Sequence, residues 1–341
     1  MITRMKNNQH QASFRTQDNL LCKALSVPYG LIMKLRRWGY ARGIFKSYRV
    51  DAPVICVGNI TTGGTGKTPM VAWVVNQLAA MQKTPAIITR GYKAVDGKSD
   101  EAELLKKLTG ANVVLNPNRV AGAQAAINSG ANVIVMDDGF QHLRLQRDLN
   151  IVLVDATNPF GFDMLLPAGR LREPMDGLAR AGAFVITRCD KVCDQKIAEI
   201  SETLKKYSDS PIAKATHAPV KLRALDGTEK ELGKLGGAKV FCFSGIGNPA
   251  GFVSTAEKLG AKIVGQKHFA DHVDYDKNKL AEICRLAKNA DAEFLLTTEK
   301  DGVKISPQNS SLDIYQLAIE MKIVSGEADL LQKIKQTAFS N

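Results

Sequence analysis

Gly66-Lys67-Thr68 follows a short run of threonines and glycines, Thr61-Thr62-Gly63-Gly64-Thr65, and that run follows an apolar stretch at 54–58. Glycines let a chain curl so that successive N–H groups and a helix N-terminus face an anion. A lysine opening that helix reaches the outer phosphates of a polyphosphate, and the adjoining hydroxyl can ligate Mg²⁺. Residues Thr61, Thr62, Gly63, Gly64, Thr65, Gly66, Lys67 and Thr68 therefore read as a phosphate-binding loop for a nucleoside triphosphate. Thr61 stands where the usual pattern has glycine, so Gly63 and Gly64 supply the flexibility. Pro69 falls in the first helical turn, where its missing N–H costs little.

A loop of this kind needs a carboxylate to hold the metal. Val133-Ile134-Val135-Met136 is an apolar strand pattern ending in Asp137-Asp138-Gly139, which makes Asp137, then Asp138, the metal candidates beside Thr68. Ser99-Asp100-Glu101, with Glu103 close behind, reads first as a helix cap. A kinase acting on an alcohol also needs a base for the acceptor hydroxyl, and Asp100 is placed for that role. Two of five histidines lie in His268-Phe269-Ala270-Asp271-His272. His272 reads equally as a structural residue or as a general base made more basic by a carboxylate.

The elements that would position these groups alternate. Residues 70–81 have a helical pattern, and apolar runs at 86–92, 112–115, 133–136, 151–155 and 184–187 read as strands separated by crossovers. That order implies an α/β fold of the P-loop NTPase type, with a mostly parallel sheet, helices on both faces and ligands at the strands' carboxyl ends. Near Asp226-Gly227 the pattern becomes a hairpin. Beyond it, strands at 240–244, 262–265, 294–297 and 314–318 and helices at 249–259 and 278–288 make a smaller second α/β unit. The expected organisation is a basic N-terminal segment 1–50, a P-loop kinase domain 51–218, a two-stranded linker 219–233 and a second domain 234–341.

The chain has 341 residues and a formal net charge of +12. Most of the excess lies in residues 1–50, with ten Lys/Arg against one acid, interleaved with Leu, Ile, Trp and Tyr. Such a stretch reads as one helix, or two broken near Pro28 and Gly30, lying on an anionic membrane surface. A helix packed on the domain with a solvated basic face, or a nucleic-acid patch, is the weaker reading. The segment is too short in apolar run to span a bilayer and lacks the small-residue cleavage site of a secretory signal. Six scattered cysteines suit reduced thiols rather than a disulfide framework or a zinc site.

These residues, with Arg90-Gly91-Tyr92, Asp137-Asp138-Gly139-Phe140-Gln141-His142, Leu166-Pro167-Ala168-Gly169-Arg170-Leu171-Arg172-Glu173-Pro174, Phe243-Ser244-Gly245-Ile246-Gly247-Asn248-Pro249 and Thr297-Thr298-Glu299-Lys300-Asp301-Gly302, form an ordered set. The set resembles the tetraacyldisaccharide 4′-kinase family. The resemblance implies transfer of the ATP γ-phosphate, with Mg²⁺, to the 4′-hydroxyl of an acylated glucosamine disaccharide 1-phosphate in lipid A biosynthesis. It implies a peripheral enzyme on the cytoplasmic face of the bacterial inner membrane, with no nucleic acid and no obligatory protein partner. It also implies two α/β domains on a two-stranded linker, with Asp100 and His272 as the catalytic pair beside Lys67. Val273 stands where the family has a second histidine, and the acidic block here lacks the family's glycine and proline. Glu101, Arg119, His142, Arg170, Arg172 and Glu173 are further candidates for substrate or phosphate contact. The rivals are a nucleotide-driven switch or metallochaperone and a soluble small-molecule kinase.

Overall fold

The computed structural model describes residues 19–91, 99–270, 273–306 and 310–340. His272 and Asp271 therefore lie outside the described residues, as does Tyr92. The chain divides into two units: one from Met1–Arg90, Ala111–Thr216 and Ile323–Asn341, the other from Gly91–Gly110 and His217–Lys322.

In the first unit, strands β1 (Val54–Asn59), β2 (Pro85–Thr89), β3 (Asn112–Leu115), β4 (Val133–Asp137), β5 (Leu149–Asp155), β6 (Ala183–Thr187) and the start of β7 (Ile212–Ala224) form a sheet in the order β7-β6-β5-β1-β4-β2-β3. Every registered pair in it is parallel. β1, β4 and β5 are buried along their whole length, which is why they read as unbroken apolar runs. β1 sits at the centre between β4 and β5, so the loop leaving it and the acids ending β4 emerge side by side.

Helix α1 (Leu20–Ala41) is one continuous helix that passes through Pro28. Its N-terminus is closed by Asn19, whose side chain accepts from the Leu21 amide. One face seats on residues 165–176: a Cβ on Gly30 would stand 2.6 Å from Leu165 Cδ1, the Tyr29 hydroxyl donates to the Arg172 carbonyl at 2.6 Å, and Arg37 donates to Asp176 at 2.8 Å. The opposite face leaves Leu20, Leu21, Leu25, Leu31, Ile32, Leu35 and Trp38 exposed. Helix α2 (Lys67–Ala80) begins three residues earlier than the apolar pattern alone suggests, because Gly66, at φ +89°, makes the turn that lets Lys67 open it. Helices α3 (Asp100–Thr109), α4 (Arg119–Asn128) and α5 (Asp194–Lys205) follow along the chain.

The second unit has its own parallel core. Strands β9 (Lys239–Ser244), β10 (Lys262–His268), β11 (Phe294–Thr298) and β12 (Ile314–Ser325) pair in the order β10-β9-β11-β12, with the later part of β7 beyond β12. Helices α6 (Pro249–Lys258), α7 (Lys277–Asn289) and the single turn α8 (Glu299–Gly302) connect them. β8 (Glu229–Lys230) turns back antiparallel on β7 through Asp226-Gly227, where Gly227 has φ +93°.

That hairpin, expected to join the units, lies wholly in the second one. The chain passes between units at Arg90/Gly91 and Gly110/Ala111 on either side of α3, on β7 at Thr216/His217, and on β12 at Lys322/Ile323. Residues after 322, including α9 (Glu327–Phe339), belong to the first unit, while α3 belongs to the second. A linear reading of patterns assigns each stretch to its neighbours in sequence and has no means of seeing either return.

Candidate active site

The phosphate loop in the first unit is braced from three sides. Asn59, fully buried at the end of β1, donates its Nδ2 to the Thr61 carbonyl at 2.8 Å and the Thr65 hydroxyl at 3.0 Å. The Thr187 hydroxyl, ending β6, donates to the Thr65 carbonyl at 3.0 Å. Arg188 donates from Nη2 to the Gly64 carbonyl at 2.6 Å while Nη1 pairs with Asp155 at the end of β5. Residues 170–172 run beside the loop's start, since the Thr62 N–H is given to the Arg170 carbonyl at 2.8 Å and the Arg172 N–H to that of Ile60 at 2.7 Å. That leaves Thr62 its hydroxyl for a ligand. Gly63, at φ +117°, and Gly64 have open space where a side chain would stand. A backbone so held, opening a helix, is preorganised for an anion.

Lys67 and the acids behind it meet. Asp138 occupies the left-handed region at φ +48°. Arg172 places Nη1 2.8 and 2.9 Å from the two Asp138 oxygens, and Lys67 Nζ lies 3.7 Å from Oδ1. Burial would raise the Asp138 pKa, but Lys67 and then Arg172 outweigh it and hold the carboxyl below the ordinary value. Asp137 is buried at the end of β4 and receives the Thr89 hydroxyl at 3.3 Å. Arg119, also buried, donates to the Asp137 carbonyl at 3.2 Å. Its pKa is lowered by burial, against the pull of Asp137 and Asp138.

The other candidates in this unit differ in setting. Glu173 is buried, bound by Arg180 at 2.8 Å and by Gln141 at 2.8 Å, and Gln141 also donates to the Asn59 carbonyl. His142 is half-buried, with its pKa pushed down to about 4 by burial and then by Arg119, Arg147, Arg36 and Arg144. Arg170 is exposed and lies over the Phe162 ring.

In the second unit, Asp100 and Glu101 open α3, and Asp301 and Lys304 follow the carboxyl end of β11. Ser99 precedes α3 without a side-chain capping bond. Asp100 instead sets its carboxylate 3.0 Å from Lys304 Nζ, and Glu101 is half-buried in the same first turn. Asp301, fully buried, takes the Gly245 amide on both oxygens at 3.1 Å and the Thr298 hydroxyl at 2.7 Å. Sequence reasoning assigned no role to Lys304, Asp301, Arg188 or Asn59. The last two carry a local signal, since Asn59 ends the buried strand β1 and Arg188 directly follows the buried strand β6.

Among the described residues, no helix is long and apolar enough to cross a membrane, and no cluster of three or more His, Cys, Asp or Glu side chains stands ready for a metal. Thr68, Asp137 and Asp138 supply oxygen donors alone, the set that suits Mg²⁺ completed by phosphate and water.

The family model for tetraacyldisaccharide-1-P 4′-kinase matches residues 19–338. A tetraacyldisaccharide 4′-kinase of Geobacter metallireducens is 36% identical over 326 residues, 89% of this chain and 94% of that one. One from Chlorobaculum parvum is 39% identical over 317 residues, 86% of each. A crystal structure of LpxK from Aquifex aeolicus in complex with ATP superposes with a TM-score of 0.74 at 28% identity, covering 93% of this chain and 98% of that one. With motifs, fold and full-length similarity in agreement, the chain belongs to the tetraacyldisaccharide 4′-kinase family.

Proposed function

We propose that this chain moves the γ-phosphoryl group of ATP to the 4′-hydroxyl of a tetraacylated glucosamine disaccharide 1-phosphate. The observation that carries the donor side is the convergence of Lys67 and Arg172 on Asp138 behind a braced glycine loop. Lys67 and the loop amides bind the β- and γ-phosphates, and Arg172 keeps Asp138 ionised and aimed. Thr68, Asp137 and Asp138 would hold Mg²⁺, which when bound neutralises charge developing on the phosphates. On the acceptor side Asp100, with His272, takes the proton as the sugar oxygen attacks phosphorus and the bond to the β-phosphate oxygen breaks, releasing ADP. Glu101 and Arg170 are secondary contacts for sugar or phosphate. Glu173 and Arg119 support the loop from within, given their buried partners.

The chain works at a membrane surface, on its cytoplasmic side and without spanning it. The support is α1: a basic helix whose free face exposes Leu25, Leu31, Leu35 and Trp38, the composition of an interfacial helix.

Purified protein is incubated in detergent micelles with Mg²⁺ and γ-labelled ATP, with and without tetraacyldisaccharide 1-phosphate, beside Lys67→Ala and Asp100→Asn. Label at the 4′ position for wild type, lost in Lys67→Ala and reduced to a small but measurable rate in Asp100→Asn, is expected. Nucleotide hydrolysis with no labelled lipid would return the switch reading.

A further inference from the structure

Lys304 is a charged side chain with only 5% exposure. An ammonium group out of water is tolerated only when paired and hydrogen-bonded. Its Nζ lies 3.0 Å from the Asp100 carboxylate and donates to the Val273 carbonyl at 3.3 Å. The backbone below it is equally fixed, because the Lys304 N–H donates to the Asp301 carbonyl at 3.1 Å and the Asp301 carboxylate pins Gly245 and Thr298. Val273 in turn packs on Gly245, where a Cβ would stand 2.7 Å from Val273 Cγ1. One stretch, 298–304, thus ties together the loop after β9, the residue that follows His272 in the chain, and Asp100.

We propose that Lys304 is a positioning residue for phosphoryl transfer, holding the Asp100 carboxylate and the backbone at Val273 in a single arrangement so that the acceptor-side base meets its hydroxyl in one geometry. The inference rests on the reading of Asp100 as that base. Lys304 itself takes no proton and touches no reacting atom. Its effect passes through Asp100, so it belongs to the turnover step and leaves ATP binding alone.

The test is a double-mutant cycle on the full chain: wild type, Lys304→Met, Asp100→Asn and the pair, with Lys304→Arg as the conservative variant. Each is assayed for kcat and for KM of both substrates. Lys304→Met is expected to lower kcat at least about tenfold with KM for ATP within about twofold, and Lys304→Arg to recover part of that loss. In the Asp100→Asn background the same substitution is expected to cost less than about twofold more. A wild-type kcat in Lys304→Met overturns the proposal, as do losses that multiply in the pair. If Lys304→Met does not fold, Lys304→Gln replaces it in the cycle with the same criteria. Should Asp100→Asn keep wild-type kcat, the base reading itself fails. A strongly impaired Asp100→Asn beside a silent Lys304→Met removes only the role of Lys304.

Discussion

His142 gives the folded state a defined pH dependence. Its ring is half-buried, its Nε2 has no hydrogen-bond partner among the described residues, and its pKa falls from 6.5 to about 4 through burial and the guanidinium groups of Arg119, Arg147, Arg36 and Arg144. The folded chain keeps the ring neutral where the unfolded chain takes up a proton. A depressed folded value means that this contribution is whole above pH ~6.5 and is withdrawn as the pH falls toward about 4. Such a fall is equivalent to roughly 3.4 kcal/mol at full strength, and solvent screening of a half-buried ring reduces it to about 1.5–2 kcal/mol. Urea unfolding of wild type and His142→Gln, between pH about 7.5 and about 4.5, reads the difference at constant m. The wild type should lose about 1.5 kcal/mol more than the variant across that span. Asp138 and Asp176 do not obscure it, because both are held below the ordinary carboxylate value and give up their stabilisation at lower pH. Parallel curves for the two proteins refute the reasoning.

Arg188→Ala removes the brace on the Gly64 carbonyl and unpairs Asp155; at ~1.5–3 kcal/mol for a charge-assisted bond, KM for ATP should rise about tenfold to a hundredfold with kcat little changed. An unchanged KM in steady-state kinetics would show that the loop holds itself. Gly58→Ala puts a Cβ 2.7 Å from Phe140 Cβ and 2.9 Å from its amide nitrogen, so thermal unfolding should show a loss of ~1–3 kcal/mol, with kcat falling as the Asp137-Asp138 turn is pushed aside. Replacing Leu25, Leu31, Leu35 and Trp38 together by Ser should cut co-sedimentation with anionic vesicles by about a hundredfold or more. Equal sedimentation would move the docking surface elsewhere.

The phosphate loop and the acids ending β4 were legible in the sequence because each depends on residues adjacent in the chain: a buried strand, a turn, a helix start. The same locality explains what was not legible. Arg172 meets Asp138, and Lys304 meets Asp100, only because segments distant in the chain deliver them to one place, and no pattern of spacing announces a salt bridge between distant residues. At Asp100 the local reading favoured a helix cap, but Ser99 makes no side-chain capping bond and the carboxylate goes to Lys304 instead. At Pro28 propensity argues for a break, yet the helix continues, seated by Ser26, Tyr29 and Gly30 against residues 165–172.

The division of α3 from its sequence neighbours bears on how this enzyme can be inherited in parts. Asp100 is encoded between two strands of the first unit but packs with the second, where Lys304 receives it. A recombination that swapped residues 217–322 between relatives would bring a new Lys304 to an old Asp100, and the fragment alone would lack α3 altogether. The second unit is therefore not a module that can be shuffled as one contiguous piece. Its two coding stretches must change together, and hybrids made at Thr216 are expected to work only where both parents keep that pair.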